Sequence, residues 1–218
     1  MRNQMATGGL LLVILIFSGC GRVHYQDPGI GANGDPLLYA LIHDKYSDQV
    51  LRLKKDLESL SSGIDEKEAF LIANTAIRFS MVLANQYELV RPPLWHNFLV
   101  SAGKKKRGIC FDWRQDLIKR LRELDQKNFD FHYGIAYPNS TWRIPHSCVI
   151  VSAKGQAFED GIVLDPWRNS GRLYWISVKK DRYPWQLEPT QLNELYWAND
   201  PYVFVFTVGS TIGSSSDF

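Results

Sequence analysis

The chain has 218 residues, enough for one domain with a sizeable core and some terminal additions. Its composition, 45% hydrophobic, 22% charged and 13% aromatic, is that of an ordinary globular protein. A formal charge of +2 gives no electrostatic footprint for nucleic acid, and the sequence has no zinc-finger spacing, no Gly-rich phosphate loop and no internal repeat.

Residues 1–19 read as an export signal, with one positive charge at Arg2 and an apolar stretch from Leu10 to Phe17. A spanning helix needs about 20 apolar residues, so this stretch suits a signal's hydrophobic core instead. It ends in Phe17-Ser18-Gly19-Cys20, and small residues directly before a cysteine resemble the lipobox of bacterial lipoproteins. Phe17 stands where that family usually has an aliphatic residue, and the alternative is a plain secretory signal with an incidental cysteine. The resemblance implies cleavage before Cys20 and lipid on its sulfur, with several acyl chains (palmitate among them) holding the protein to a membrane of the cell envelope. Gly21, where an acidic residue would retain a lipoprotein, implies the periplasmic face of the outer membrane if the host is Gram-negative.

Residues 20–36 include the run GRVHYQDPGIGANGD, which has no apolar period and is predicted to be a tether. The folded domain is expected over residues 37–208. From Leu37 to Leu60, apolar residues recur at helical spacing, including Leu41, Val50, Leu53 and Leu57. Ser61-Ser62-Gly63 breaks that pattern. Asp65 is placed to cap the next helix, Glu68 to reach back to it and Ile64 to staple its entry, with Pro92-Pro93 as the stop. A short apolar segment, Leu94 to Val100, leads to the basic island Lys104–Arg107, read as a solvated loop.

Cys110 then opens a helix whose Trp113, Leu117, Leu121 and Leu124 share one face with it. After Asp125 the pattern changes to short β-branched and aromatic runs: Phe131–Tyr137, His146–Ala153, Gly161–Asp165, Arg172–Val178 and Tyr202–Val208. Helices first and strands after predict an α+β domain with its N-terminal helices packed on an antiparallel sheet. Residues 209–218 read as a flexible tail.

The chain has three cysteines. With Cys20 assigned to the anchor, Cys110 and Cys148 remain, and an exported protein can join them in a disulfide. A thiol at a helix N-terminus is favoured as thiolate, and Arg107 and the preceding lysines would act in the same direction. His146 begins one strand and Asp165 ends the next, so neighbouring strands bring the two side by side and the helix start presents Cys110 to the imidazole. That is the nucleophile, base and orienter order of acyl transfer. Taken singly, His146 reads equally as a packed histidine and Asp165 as a turn residue. Cys148 reads as a small core residue. A zinc site from Cys110, His146 and Cys148 lacks a fourth ligand at convincing spacing, so neither a metal nor another cofactor is expected.

Gly108-Ile109-Cys110, His146-Ser147-Cys148-Val149-Ile150-Val151 and Leu164-Asp165-Pro166-Trp167 together resemble the transglutaminase-like superfamily of cysteine peptidases and amide acyltransferases. Cys148 and Trp167 depart from the residues usual there. The resemblance implies a papain/transglutaminase-like α+β fold and a Cys110–His146–Asp165 triad acting on a peptide or amide substrate. It also implies an oxyanion hole built from the Cys110 N–H and one upstream donor, for which Asn97 and Trp95 are the candidates. Trp113 and Trp167 are candidates to line a substrate groove, though aromatic packing explains them as well, and Arg168 and Arg172 either meet an acidic ligand or are solvated. The expected form is a monomer bound to the membrane through its anchor. The rival is a non-catalytic envelope binding or assembly lipoprotein using the same fold as a scaffold, its nucleophile consumed by a Cys110–Cys148 bridge.

Overall fold

The computed structural model describes residues 21–30 and 45–188. The export signal, Cys20, the predicted strand Tyr202–Val208 and the tail lie outside the described residues.

Among the described residues, four α-helices precede five strands, in the order that the change of period from 3.6 to 2 predicts. Lys45 and Tyr46 form a turn, so the first helix, α1, runs over Ser47–Glu58 and buries Val50, Leu53 and Leu57. Residues 37–44 of the predicted run lie outside the described residues. Helix α2, Glu66–Gln86, starts at Asp65, whose Oδ1 accepts from the N–H groups of Lys67 and Glu68 at 2.8 and 3.0 Å. The reciprocal half of the predicted capping box is absent. Glu68 instead accepts from the backbone of Lys127 and Asn128, while Asn128 Oδ1 takes the Asp65 N–H at 2.6 Å. Each backbone donor is thereby satisfied by a partner from the other segment, which ties the start of α2 to the loop before the first strand. Helix α3, Pro93–Ser101, begins with proline at its first position, where the missing N–H costs nothing. Helix α4, Cys110–Arg122, buries Trp113, Leu117, Ile118 and Leu121.

The strands are β1, Phe129–Ala136; β2, His146–Ala153; β3, Ile162–Asp165; β4, Tyr174–Ser177; and β5, Trp185–Leu187. They form one antiparallel sheet in the order β4-β3-β2-β1-β5. Central β2 is buried at every position. Its Val149 and Val151 join Leu164 and Ile162 in the large core under the helices, while Cys148 and Ile150 pack with Val163, Ala136 and Trp185 on the other side. Helix α4 lies on β2 and against α2, which in turn carries α1. This fixes the geometry that matters: the N-terminus of α4 lies by the start of β2, and the pleat sends His146 and Ser147 to opposite faces of the sheet.

Residues 21–30 do not behave as the predicted tether. Val23 N–H donates to Leu89 O at 2.7 Å, and Asn85 holds both the N–H and the carbonyl of Tyr25 at 2.8 Å each. Val23, Tyr25 and Ile30 are buried, and the Tyr25 hydroxyl donates to Ser170 O at 2.8 Å. Their partners lie 60 residues or more away in sequence, 145 for Ser170, out of reach of any local signal. No helix among the described residues is long and apolar enough to cross a membrane.

Candidate active site

The approach to Cys110 is pinned on every side. Gly108 has φ +119°, a region closed to L side chains, and a Cβ there would stand 2.4 Å from Nε2 of His96. That imidazole is buried on α3; its Nε2 donates to Arg107 O at 2.9 Å and its Nδ1 accepts from Val90 N–H at 3.2 Å. Burial lowers the His96 pKa, which keeps the ring neutral in that tautomer. Asp112, on the first turn of α4, accepts from the Gly108 and Ile109 N–H groups at 2.7 and 3.1 Å. Trp113 Nε1 donates to Gly108 O at 2.9 Å, with its ring edge-on to Tyr87. Trp113 is therefore 1% exposed and holds the loop from beneath; it does not line a groove, contrary to expectation. Arg107 bonds Asp112 at 3.2 Å and Asp116 at 3.0 Å, so the charge expected to act on Cys110 is spent on those carboxylates.

Cys110, half-buried, is the first residue of α4, with its Sγ 4.0 Å from Pro145 O. Burial pushes its thiol pKa up, but His146 and the N–H and hydroxyl of Ser147 outweigh it, so the thiol ionises below its ordinary value. His146 is buried at the first position of β2, and its Nε2 donates to Asp165 Oδ2 at 2.6 Å. Nδ1 is then the nitrogen left for Cys110. Burial opposes protonation of the ring, yet Asp165 and Cys110 raise its pKa well above the usual histidine value. Asp165 ends β3. Its burial favours the neutral acid, and His146 and Arg168 overcome that to hold the carboxyl below its usual range.

The pair sits in an aromatic cage. Trp167, Tyr183 and Trp185 have ring centroids 4.8, 5.0 and 5.5 Å from that of His146. Arg168 is neither solvated nor free for a ligand. Its Nε donates to Asp165 Oδ2 at 3.1 Å, its backbone N–H to Asp165 Oδ1 at 3.1 Å, and its two Nη atoms to Asp181 at 3.0 and 2.8 Å. Arg172, by contrast, is exposed.

The structure thus brings Cys110, His146 and Asp165 together, with Trp167 against the imidazole. Asn97 joins them through Trp167, whose Nε1 donates to Asn97 Oδ1 at 3.0 Å and leaves the side-chain NH2 of Asn97 as a donor. Trp95 points away, half-exposed and stacked on Phe98 with centroids 5.0 Å apart. Cys110 and Cys148 are both free thiols. Cys148 is 2% exposed opposite Gly134, and burial raises its pKa well above the ordinary thiol value, so it stays neutral. Among the described residues, no cluster of three or more His, Cys, Asp or Glu could hold a metal ion.

Sequence reasoning missed Ser147, His96, Asp112 and Asp181. Strand alternation holds the signal for Ser147, because it shares the helix-facing side with Val149 and Val151. The others act through tertiary contacts with no local pattern. Comparison of the chain with protein-family models, with curated proteins and with solved structures finds no match in any of the three.

Proposed function

We propose that the protein is a thiol-dependent enzyme of papain/transglutaminase-like fold, acting on a peptide or amide carbonyl through Cys110, His146 and Asp165. The observation that carries this reading is the position of His146. One ring nitrogen is 2.6 Å from Asp165, and the imidazole lies near enough to Cys110, at a helix N-terminus, for each to shift the other's ionisation. A buried histidine needed only for packing has no use for a carboxylate on one side and a thiol on the other.

In this mechanism the Cys110 thiolate adds to the carbonyl carbon. The Cys110 N–H and the Asn97 amide receive the developing oxyanion. As the C–N bond breaks, His146 Nδ1–H protonates the departing amine and leaves a Cys110 thioester. The neutral imidazole then takes a proton from the acceptor that attacks the thioester, and returns it to Cys110. Water as acceptor gives hydrolysis; an amine gives transamidation. Asp165 keeps Nε2 protonated and supports the imidazolium, and Arg168 keeps Asp165 ionised. The lipobox-like sequence before Cys20 directs the search for substrates to envelope peptides and proteins.

The test is the rate of Cys110 alkylation against pH, in the native chain and in His146→Ala. The wild type is expected to react with a midpoint below the ordinary thiol value of 9.0, and His146→Ala to move it upward. A Cys110 that titrates like a free thiol in both proteins sinks the mechanism. Cys148 does not confuse the readout, because it is buried and its thiol is held neutral.

A further inference from the structure

Helix α3 has two faces with different tasks. His96 and Val100 are buried beneath it, while Leu94, Trp95 and Phe98 are 57%, 39% and 56% exposed on the opposite side. These three lie at positions i, i+1 and i+4, and two of them stack on each other with ring planes 18° apart. Large apolar side chains gathered on the outside of one nine-residue helix contribute little to this fold and mark a surface that something covers.

The surroundings identify the occupant. The loop after α3 folds back on it, with the N–H groups of Lys104 and Lys105 donating to Leu99 O at 2.8 and 3.1 Å. This holds the exposed Lys104 and Lys106 at one end of the apolar face. Arg22 and Arg91 stand at the other end, Arg22 paired with Glu88 and Arg91 Nη2 donating to the Tyr25 hydroxyl at 3.4 Å, and Glu88 also pairs with Lys105. The chain also enters the fold at this edge. Gly21 O accepts from Arg91 N–H at 3.0 Å, two residues before α3 begins. Cys20 is one peptide unit from Gly21 along the chain, about 3.8 Å between Cα atoms. An apolar group before Gly21, the Leu10–Phe17 stretch or acyl chains on Cys20, is therefore joined to the domain beside an apolar helix face with basic residues at its ends.

We propose that the outer face of α3 is a membrane seat: Leu94, Trp95 and Phe98 enter the headgroup–acyl boundary of an anionic bilayer, with Lys104 and Lys106 at the phosphate level. Aromatic rings favour that boundary, and flanking basic residues add attraction to anionic lipid. The seat does not depend on the thiol chemistry. Combined with that proposed function, it has a consequence: α3 also carries Asn97, so the Trp167–His146 side of the molecule is held close to the bilayer, where membrane-attached substrates lie.

The full-length chain is tested on vesicles of phosphatidylethanolamine and phosphatidylglycerol, with acyl chains brominated near the headgroup to quench tryptophan. Flotation reports binding in the same samples. The expected result is quenching in the wild type, most of it lost in Trp95→Phe and none lost in Trp142→Phe, which removes the 95% exposed tryptophan of the β1–β2 loop. A Leu94→Ser/Phe98→Ser chain should still float through its N-terminus but show weaker quenching. Equal quenching in wild type and Trp95→Phe would overturn the seat and leave the face to a protein partner, as would a chain that does not float. Cys110 alkylation is measured alongside: normal labelling with an unquenched Trp95 refutes the seat alone, and a quenched Trp95 with an ordinary thiol refutes the chemistry alone.

Discussion

Ser147 and His146 share the start of one strand between its two faces, and the sulfur of Cys110 receives something from each. A hydroxyl and an N–H directed at a sulfur stabilise the anion and do little for the thiol. Ser147→Ala removes the hydroxyl and keeps the backbone donor. The Cys110 alkylation midpoint is expected to rise by about one pKa unit, the worth of one hydrogen bond to a charged group, with the unfolding curve nearly unchanged. The imidazole–carboxylate pair makes a separate prediction about stability. Asp165 has a lowered folded pKa, so its contribution is complete above 3.8 and is lost as pH falls through the lowered value. His146 has a raised one, so its contribution is complete below 6.5 and fades as pH rises through the raised value. Both act fully between those two ordinary values. Urea unfolding should therefore show the wild type most ahead of Asp165→Asn around pH 5, with the gap closing in acid. A gap that stays constant down to pH 3 would mean that Asp165 enters the fold uncharged.

Among the elements, the start of α4 and the whole of β2 were legible to the residue. Cys110 opens the one because Gly108 breaks the chain before a clean 3.6 period, and His146 opens the other because Pro145 precedes an alternating run. Asp165 was equally readable as the end of β3, against Pro166. Strand β5 was not, since three residues after Pro184 carry no period and pair only because β1 offers an open edge. The role of Trp113 was misread because the spacing that places it on the buried face does not tell a core ring from a groove wall. What the sequence leaves out of the loop before α4 is its dependence on α3. Gly108→Ala brings both a forbidden φ and a collision with His96, which cannot withdraw while it holds Arg107 O and the Val90 N–H. The expected cost is about 1–3 kcal/mol in urea unfolding. Slower Cys110 alkylation at every pH should accompany it, because the helix start shifts. Adding His96→Ala should not restore the loss, because the φ strain remains and two backbone groups lose their partner.

Across the whole molecule, the site depends on parts that are distant in sequence and locked together by buried charge. Arg114, one turn into the helix that carries Cys110, pairs with Glu188 just past β5, the strand whose Trp185 walls the imidazole. Both side chains are essentially excluded from water, and the guanidinium also lies over Phe111 and Tyr133 at 4.6 and 4.9 Å. Replacing such a pair by apolar groups can be neutral, whereas removing one partner strands the other. Arg114→Met keeps much of the stacking volume and leaves the Glu188 carboxylate unpaired. The expected loss is about 3–5 kcal/mol at neutral pH, with Cys110 reactivity reduced as β5 loosens from α4. Burial already raises the Glu188 pKa against the pull of Arg114, and without that pull it rises further. The folded variant then binds a proton that the unfolded chain does not, so the deficit should shrink as pH falls toward the ordinary glutamate value of 4.5. Arg114→Met/Glu188→Met should recover most of the stability at neutral pH. A deficit in Arg114→Met that is flat from pH 8 to 5, and that the double variant does not relieve, would assign the loss to the broken stack on Phe111 and Tyr133 and leave the ion pair without a part in holding β5 to α4.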